Sequence, residues 1–253
     1  MEFSGKIAIV TGASSGIGRA TAVAMSKQGA SVALVGRNER ALRETAIECD
    51  DSRTINIVAD ITRESDARKI VYETIERFGG IDVLVNAAGI ITNGTIETTT
   101  EEQWDQMMNI NVRSVFRLMQ LALPALIKHK GNVVNVSSVT GERSFPGVLA
   151  YCVSKAAVDQ LTRCSALELA QHGVRVNAVN PGVVITNIHR RGGMNEENYS
   201  KFLEHSKTTH PIGRVGQPEE VADLILFLAS DKAGWITGAT YEIDGGRALT
   251  CAR

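Results

Sequence analysis

Thr11-Gly12-Ala13-Ser14-Ser15-Gly16-Ile17-Gly18 stands between an apolar, β-branched run at residues 7–11 and a stretch of helical pattern. That setting decides how the rest of the chain is read, because a glycine-rich loop is informative only between a strand and a helix. There, glycines let the chain turn tightly and let backbone N–H groups approach a pyrophosphate, whose charge the helix N-terminus favours. The spacing Gly-x-x-x-Gly-x-Gly ends in neither Gly-Lys-Ser nor Gly-Lys-Thr, so a triphosphatase phosphate loop is disfavoured. Gly12, Ser14, Ser15, Gly16, Ile17 and Gly18 are expected to hold the phosphates of a dinucleotide.

Outward from the loop, similar apolar runs recur at residues 31–35, 54–59, 81–85, 132–136, 174–179 and 239–243, with helical stretches between them. They are near-continuous rather than alternating, as strands covered on both faces should be. The expected fold is α/β: a doubly wound, Rossmann-type parallel sheet of about seven strands with helices on both faces. Thr100-Glu101-Glu102-Gln103 has the form of a capping box. The apolar pattern after it runs to about Lys128 and contains Pro124, which is expected to kink or restart the helix. No repeat or linker divides residues 1–253, so a single domain is expected. One stretch, residues 187–210, is polar and breaks the alternation between a strand end and Pro218; it is expected to form a substrate lid.

Composition narrows the function classes. The formal net charge is -1, from 27 basic and 28 acidic residues, so no global field exists to hold nucleic acid or an anionic membrane. Cys49, Cys152, Cys164 and Cys251 have neither metal-site spacing nor the density of a disulfide scaffold. His129, His172, His189, His205 and His210 lack metal-ligand spacing and are expected at the surface; no metal is expected. The N-terminus enters an apolar strand at once, with no signal-peptide pattern. The longest purely apolar run, residues 224–229, is short against the ~20 residues a bilayer span takes. A cytoplasmic protein with small-molecule partners is expected, and the tail Cys251-Ala252-Arg253 matches no targeting signal.

Further motifs follow in a fixed order. Asn86-Ala87-Ala88-Gly89 comes after the fourth strand, Asn111 lies in the next long helix, and Ser138 follows the fifth strand. Tyr151-Cys152-Val153-Ser154-Lys155 then supplies a Tyr-x-x-x-Lys pattern, and Asn180-Pro181-Gly182 with Thr186 follows the sixth strand. With the glycine loop, these resemble the short-chain dehydrogenase/reductase family over essentially the whole chain. The resemblance implies a nicotinamide-dependent oxidoreductase acting on a carbonyl/alcohol pair, with a catalytic set of Asn111, Ser138, Tyr151 and Lys155. It also implies that Lys155 holds the nicotinamide ribose, that Asn111 anchors a water and that Asp60 meets the adenine amino group. Beside Asp60 lies Ile61; Asn86, Ala87 and Gly89 would line the adenosine ribose side. Pro181, Gly182, Val184 and Thr186 would face the nicotinamide. A homotetramer or homodimer built partly on the helix carrying Tyr151 is implied as well.

The residues themselves permit this chemistry. Reducing a ketone requires a proton donor beside the developing alkoxide. Tyr151 can serve if its pKa, about 10 in a free phenol, is brought down. Lys155 lies one helical turn on, so its ammonium and the positive charge of an oxidised nicotinamide are expected to do this. Ser138, at the carboxyl end of a strand, can hold the substrate oxygen. Cofactor choice is set at the end of the second strand, where an acid would hydrogen-bond the ribose of NAD and repel a 2′-phosphate. Here stand Gly36, Arg37 and Asn38, so NADP is expected, with NAD the alternative.

Three functions compete. A general carbonyl reductase or hydroxy-compound dehydrogenase comes first. A 3-oxoacyl-thioester reductase needs positive charge to dock an acidic carrier protein, and Lys128-His129-Lys130 with Gln171-His172 is a weak basic patch for that. A catalytically silent dinucleotide-binding module is the third. Phe145 and Val148, between Ser138 and Tyr151, suggest an apolar pocket wall, with Arg143 either meeting an acidic group or solvated; His189-Arg190-Arg191 could read a carboxylate or phosphate or stand exposed.

Overall fold

A computed structural model of the chain describes residues 1–250; the tail cysteine, Cys251, and the two residues after it lie outside the described residues. The elements alternate as the apolar runs imply. They are β1 (Ile7–Thr11), α1 (Gly16–Lys27), β2 (Ser31–Gly36), α2 (Glu39–Ala46), β3 (Thr54–Val58), α3 (Glu64–Phe78) and β4 (Val83–Asn86). The second half adds α4 (Glu101–Met108), α5 (Ser114–His129), β5 (Asn132–Val136), α6 (Leu149–Leu169) and β6 (Arg175–Pro181). It closes with α7 (Ile188–Arg191), α8 (Glu196–Thr209), α9 (Pro218–Ala229) and β7 (Thr240–Ile243).

The seven strands of the described residues form one parallel sheet in the order β3-β2-β1-β4-β5-β6-β7. Their continuous apolar character has a direct cause. Ala8, Val10, Val32, Leu34, Val83 and Val85 point into a core shared with α1 and α9. The intervening Ile9, Ala33, Val35 and Leu84 point into a second core on the opposite face, shared with α3 and α5. Strand order reverses between β1 and β4, and ligands collect at such a switch point, outside the carboxyl ends of the strands.

The capping box forms: the Thr100 hydroxyl accepts from the Gln103 N–H at 3.2 Å and the Gln103 side chain accepts from the Thr100 N–H at 3.1 Å. The expected break at Pro124 is not where the helix departs from regularity, since α5 runs through that residue. The irregularity is a π-helical turn, Asn109–Arg113, joining α4 to α5. Such turns mark functional sites often, and this one carries Asn111. The helical run Glu101–His129 has the length and composition to cross a membrane, but it packs on α3 and α6 within the fold.

Candidate active site

The glycine loop has the geometry its sequence demands. Gly12 and Gly16 adopt φ of +69° and +55°, the left-handed region that side chains avoid. Gly18 is needed for a different reason: a Cβ there would lie 2.5 Å from the Gly12 carbonyl oxygen, so only glycine lets α1 start this close to the turn. The first turn of α1 has no acidic residue and no side-chain cap, leaving its N–H groups for an anion. Thr11 fastens the neighbouring loop, its hydroxyl accepting from the N–H groups of Ala87 and Ala88 at 3.0 and 3.1 Å.

This loop forms one end of a cleft with a cavity of about 470 Å³, lined by residues from the carboxyl ends of the strands. Gly12, Ser14, Ser15, Gly16, Ile17, Gly18, Arg37, Asp60, Ile61, Ala87 and Gly89 line it, as do Pro181, Gly182, Val184 and Thr186. Ser138, Tyr151 and Lys155 line it too. A dinucleotide fits these residues, because the cradle is one that added Cβ atoms would fill and the helix end offers donors without a competing acid. Arg37 is exposed at the mouth and close enough to Asp60 for their charges to interact. Desolvation pushes the Asp60 carboxyl up, but the Thr62 N–H and hydroxyl, with Arg37 and Arg63, hold it below its ordinary value.

Two of the residues expected at the cofactor have side chains engaged elsewhere. The Asn38 Oδ1 caps α2, accepting from the Ala41 N–H at 3.0 Å. Asn86 turns into the sheet, donating to the Asn135 side chain at 2.9 Å, and neither residue lines the cleft.

Tyr151 and Lys155 sit on one face of α6, with the Lys155 Nζ 5.6 Å from the centre of the Tyr151 ring. That Nζ donates to the Val136 carbonyl at 2.8 Å, at the end of β5. Asn111 is buried beneath the loop after β4: its Oδ1 accepts from the Ile90 N–H at 2.9 Å, while its Nδ2 donates to the Ile90 carbonyl and to the Ser154 hydroxyl, both at 3.0 Å. A Cβ on Gly89 would meet Asn111 Oδ1 at 3.3 Å and Lys155 Nζ at 3.7 Å, so a glycine lets these groups gather. The expectation that Lys155 lowers the Tyr151 pKa is not met by the protein alone. Burial pushes the phenol up to about 12, the Ser138 hydroxyl acting the other way. Burial also brings Lys155 down to about 8, against the pull of Asp159, because a desolvated ammonium sheds its proton more readily.

The expectation for the histidines also needs correction. His210 is buried, its Nε2 accepting from the Val183 N–H at 3.1 Å and its Nδ1 2.6 Å from the Ser206 carbonyl, so it braces the turn after β6. His129 is half-buried against Asp82 at 3.3 Å. Among the described residues, no His, Cys, Asp and Glu side chains gather as three or more metal ligands. The run His189-Arg190-Arg191 separates three ways. His189 enters the cleft and meets Phe202 with the rings tilted by 52° and their centres 4.5 Å apart. Arg190 faces outward, paired with Glu196 and lying 3.9 Å from the Tyr199 ring centre. Arg191 reaches the glycine loop, donating to the Ser15 hydroxyl at 3.0 Å.

Phe145 and Val148 form part of the cleft wall, whereas Arg143 is exposed and outside it. Their segment is clipped to the loop after β4, the Gly94 N–H donating to the Gly147 carbonyl at 2.8 Å. Phe202 and Arg247 also line the cleft and were not expected from the sequence. The rule that ligands collect at strand carboxyl ends would have directed attention to the turn after β7, which carries Arg247.

Known proteins resemble this chain over nearly its whole length. A family model described as "Enoyl-(Acyl carrier protein) reductase" matches residues 12–248. The 3-oxoacyl-[acyl-carrier-protein] reductase FabG of Thermotoga maritima is 39% identical over 249 residues, 97% of this chain and 99% of that protein. The meso-2,3-butanediol dehydrogenase of Serratia marcescens is 37% identical, covering 97% of this chain and 96% of its own. A crystal structure of a Caenorhabditis elegans short-chain dehydrogenase/reductase of unknown function, with cofactor, matches at TM-score 0.94 and 37% identity, covering 100% of this chain and 98% of that one. A nicotinamide-dependent oxidoreductase acting on small molecules is the class that fold and site define. The chain belongs to the short-chain dehydrogenase/reductase family.

Proposed function

We propose that the protein is an NADP(H)-dependent carbonyl reductase or hydroxy-compound dehydrogenase in which Tyr151 exchanges a proton with the substrate oxygen. One observation carries this reading: a buried phenol, Ser138 and Lys155 share a single cavity with the glycine loop. When bound, a nicotinamide cofactor supplies the hydride and, in its oxidised form, a positive charge. The protein's own groups then have distinct tasks. Burial keeps the proton on Tyr151 until an alkoxide develops nearby, which suits a general acid. Ser138 holds the substrate oxygen, and Lys155 stands under the phenol to support its ionised form. Asn111 secures the Ile90 backbone and, through Ser154, the turn of α6 between Tyr151 and Lys155.

NADP(H) is favoured by Arg37, exposed at the cleft mouth, and by Gly36, which places no carboxylate there. Residues 187–210 supply α7 and α8 as a lid, fastened by the Tyr199 hydroxyl donating to the Thr186 carbonyl at 3.0 Å. A cytoplasmic homotetramer or homodimer completes the proposal. A 3-oxoacyl-thioester reductase is the second reading, favoured by the name of the Thermotoga maritima relative. It ranks lower because His129, central to the basic patch, is occupied with Asp82.

The test is Tyr151→Phe, which keeps the ring and removes the proton donor. Turnover should fall by roughly 10²–10⁴-fold while the cofactor still binds. Near-normal turnover would sink the assignment, and cofactor binding with no turnover of any carbonyl by the unaltered protein would favour a silent dinucleotide-binding module.

A further inference from the structure

The cleft contains one charge for which cofactor binding gives no use. After β7 the chain turns through Asp244-Gly245-Gly246, and Arg247 enters the cavity that holds Ser138 and Tyr151. Its guanidinium carbon lies 4.7 Å from the Phe145 ring centre, in the wall segment between those two residues. Its Nε is buried without a hydrogen-bond partner among the described residues. Asp244 is the acid whose charge it feels, yet the Asp244 oxygens are engaged with backbone donors of the same turn, Gly246 N–H at 2.8 Å and Ala248 N–H at 2.6 Å.

Of the other cationic side chains of the cleft, Lys155 is committed beneath the Tyr151 ring and to the Val136 carbonyl, and Arg37 and Arg191 belong to the cofactor half. Arg37 stands at the end of β2, and Arg191 is held by Ser15 of the glycine loop. Phe145 lies against Arg247 and His189 is near enough to feel its charge, while Val148, Ile188 and Phe202 add apolar surface to the same cleft. Burial and the Arg247 charge both push the His189 pKa down, so His189 is a neutral hydrogen-bonding neighbour rather than a second cation. A half-buried guanidinium stacked on an aromatic ring has lost much of its water, and the ring returns only part of that cost. An anion that enters with the substrate would return the rest, and a guanidinium fork suits the two oxygens of a carboxylate.

We propose that Arg247 selects substrates that carry a carboxylate, making the enzyme specific for an oxo acid/hydroxy acid pair. This rests on the oxidoreductase reading above. The carbonyl carbon accepts the hydride, its oxygen takes the Tyr151 proton, and Arg247 takes part in no bond change, holding the carboxylate at the other end of the molecule.

The experiment compares 3-oxobutanoate, 4-oxopentanoate and 5-oxohexanoate with their methyl esters, together with neutral 2,3-butanedione and the phosphate ester dihydroxyacetone phosphate. The kcat/KM of each is measured with NADPH and NADH for the wild type, Arg247→Gln and Arg247→Lys. At least one acid should exceed its ester by about 10- to 150-fold, the range of one charge-assisted hydrogen bond. Arg247→Gln should collapse that ratio toward one, and Arg247→Lys should restore part of it. Esters matching acids at all three lengths would overturn the proposal. So would Arg247→Gln lowering acid and ester alike, which is the signature of a structural role, or a preference for dihydroxyacetone phosphate over every acid. If Arg247→Gln fails to fold, the wild-type ratios and Arg247→Lys decide. Turnover of 2,3-butanedione without the acids leaves the oxidoreductase reading intact and removes this one. If no carbonyl turns over with either cofactor, the oxidoreductase reading fails. Calorimetric binding of pentanoate to the wild-type protein, weakened at least tenfold in Arg247→Gln, then decides the role of Arg247 separately.

Discussion

Gly36→Asp places an acid where cofactor choice is made, and the structure indicates how far the change should reach. A Cβ at Gly36 would lie 3.3 Å from Leu42 Cδ2 and 3.4 Å from Ser14 Oγ, both the ends of side chains that can give by a few tenths of an ångström. Its backbone is outside the positive-φ region, so the substitution should leave the fold intact. A carboxylate about 4 Å from one phosphate charge is repelled by ~1 kcal/mol in bulk water and ~4 kcal/mol at the effective dielectric of a protein surface. Those limits correspond to roughly 5-fold and roughly 1000-fold, and the exposure of neighbouring Arg37 places the expectation near about 10-fold. Arg37→Ala, which loses an attraction at the same exposed place, should cost about 10-fold as well. The assay is the ratio of kcat/KM for NADPH to that for NADH with one carbonyl substrate, at low and high ionic strength. The wild type should favour NADPH, Gly36→Asp should move the ratio toward NADH, and added salt should shrink the wild-type preference, since the Debye length is ~10 Å at 0.1 M. A wild type that uses NADH as well as NADPH, or a Gly36→Asp ratio equal to that of the wild type, would refute the electrostatic reasoning.

Gly18→Ala should destabilise the fold by about 1–3 kcal/mol and weaken cofactor binding, because its Cβ meets backbone rather than a yielding side chain; an unchanged Tm with normal cofactor titration would contradict the close-approach reading. Tyr199→Phe removes the hydroxyl that ties α8 to Thr186, worth about 0.5–1.5 kcal/mol, so amide exchange across residues 196–209 should quicken up to about tenfold. Exchange as slow as in the wild type would mean that the bond does not fasten the lid. In the folded protein Lys155 releases its proton near 8, whereas the unfolded chain keeps it to its ordinary 10.5. The unfolded state then binds more protons across that window, so this group adds stability as pH rises through it, and Lys155→Met should flatten the climb in denaturant melts. Tyr151 acts oppositely between its ordinary 10.0 and about 12, where the folded state keeps the proton longer and stability falls; a Lys155→Met profile parallel to the wild type would count against the lysine assignment.

Much of this was legible in the chain itself, and the reason is that the signals are local. Ile7 to Thr11 reads as a strand covered on both faces because successive side chains of one strand feed two cores. The glycine loop reads as a phosphate cradle because the constraints at Gly12 and Gly16 are set by the loop's own turn. Tyr151 and Lys155 share a face because they are four residues apart on one helix. What only the tertiary structure decided depends on residues distant in sequence. The π-helical turn, rather than Pro124, interrupts the long helix, and it brings Asn111 to Ile90. Asn86 turns toward Asn135 because β4 lies beside β5, and Asn38 is taken by the first turn of α2. His210 is buried because the turn after β6 needs its ring, and His189, Arg190 and Arg191 part company because the short α7 crosses the cleft mouth. Arg247 joins Phe145 in the cleft wall because the sheet order places β7 beside β6 and two strands from β5. A strand-loop-helix signal is written within a dozen residues, whereas which charges face one another across a cleft is fixed by strand order and loop packing, and no local pattern encodes it.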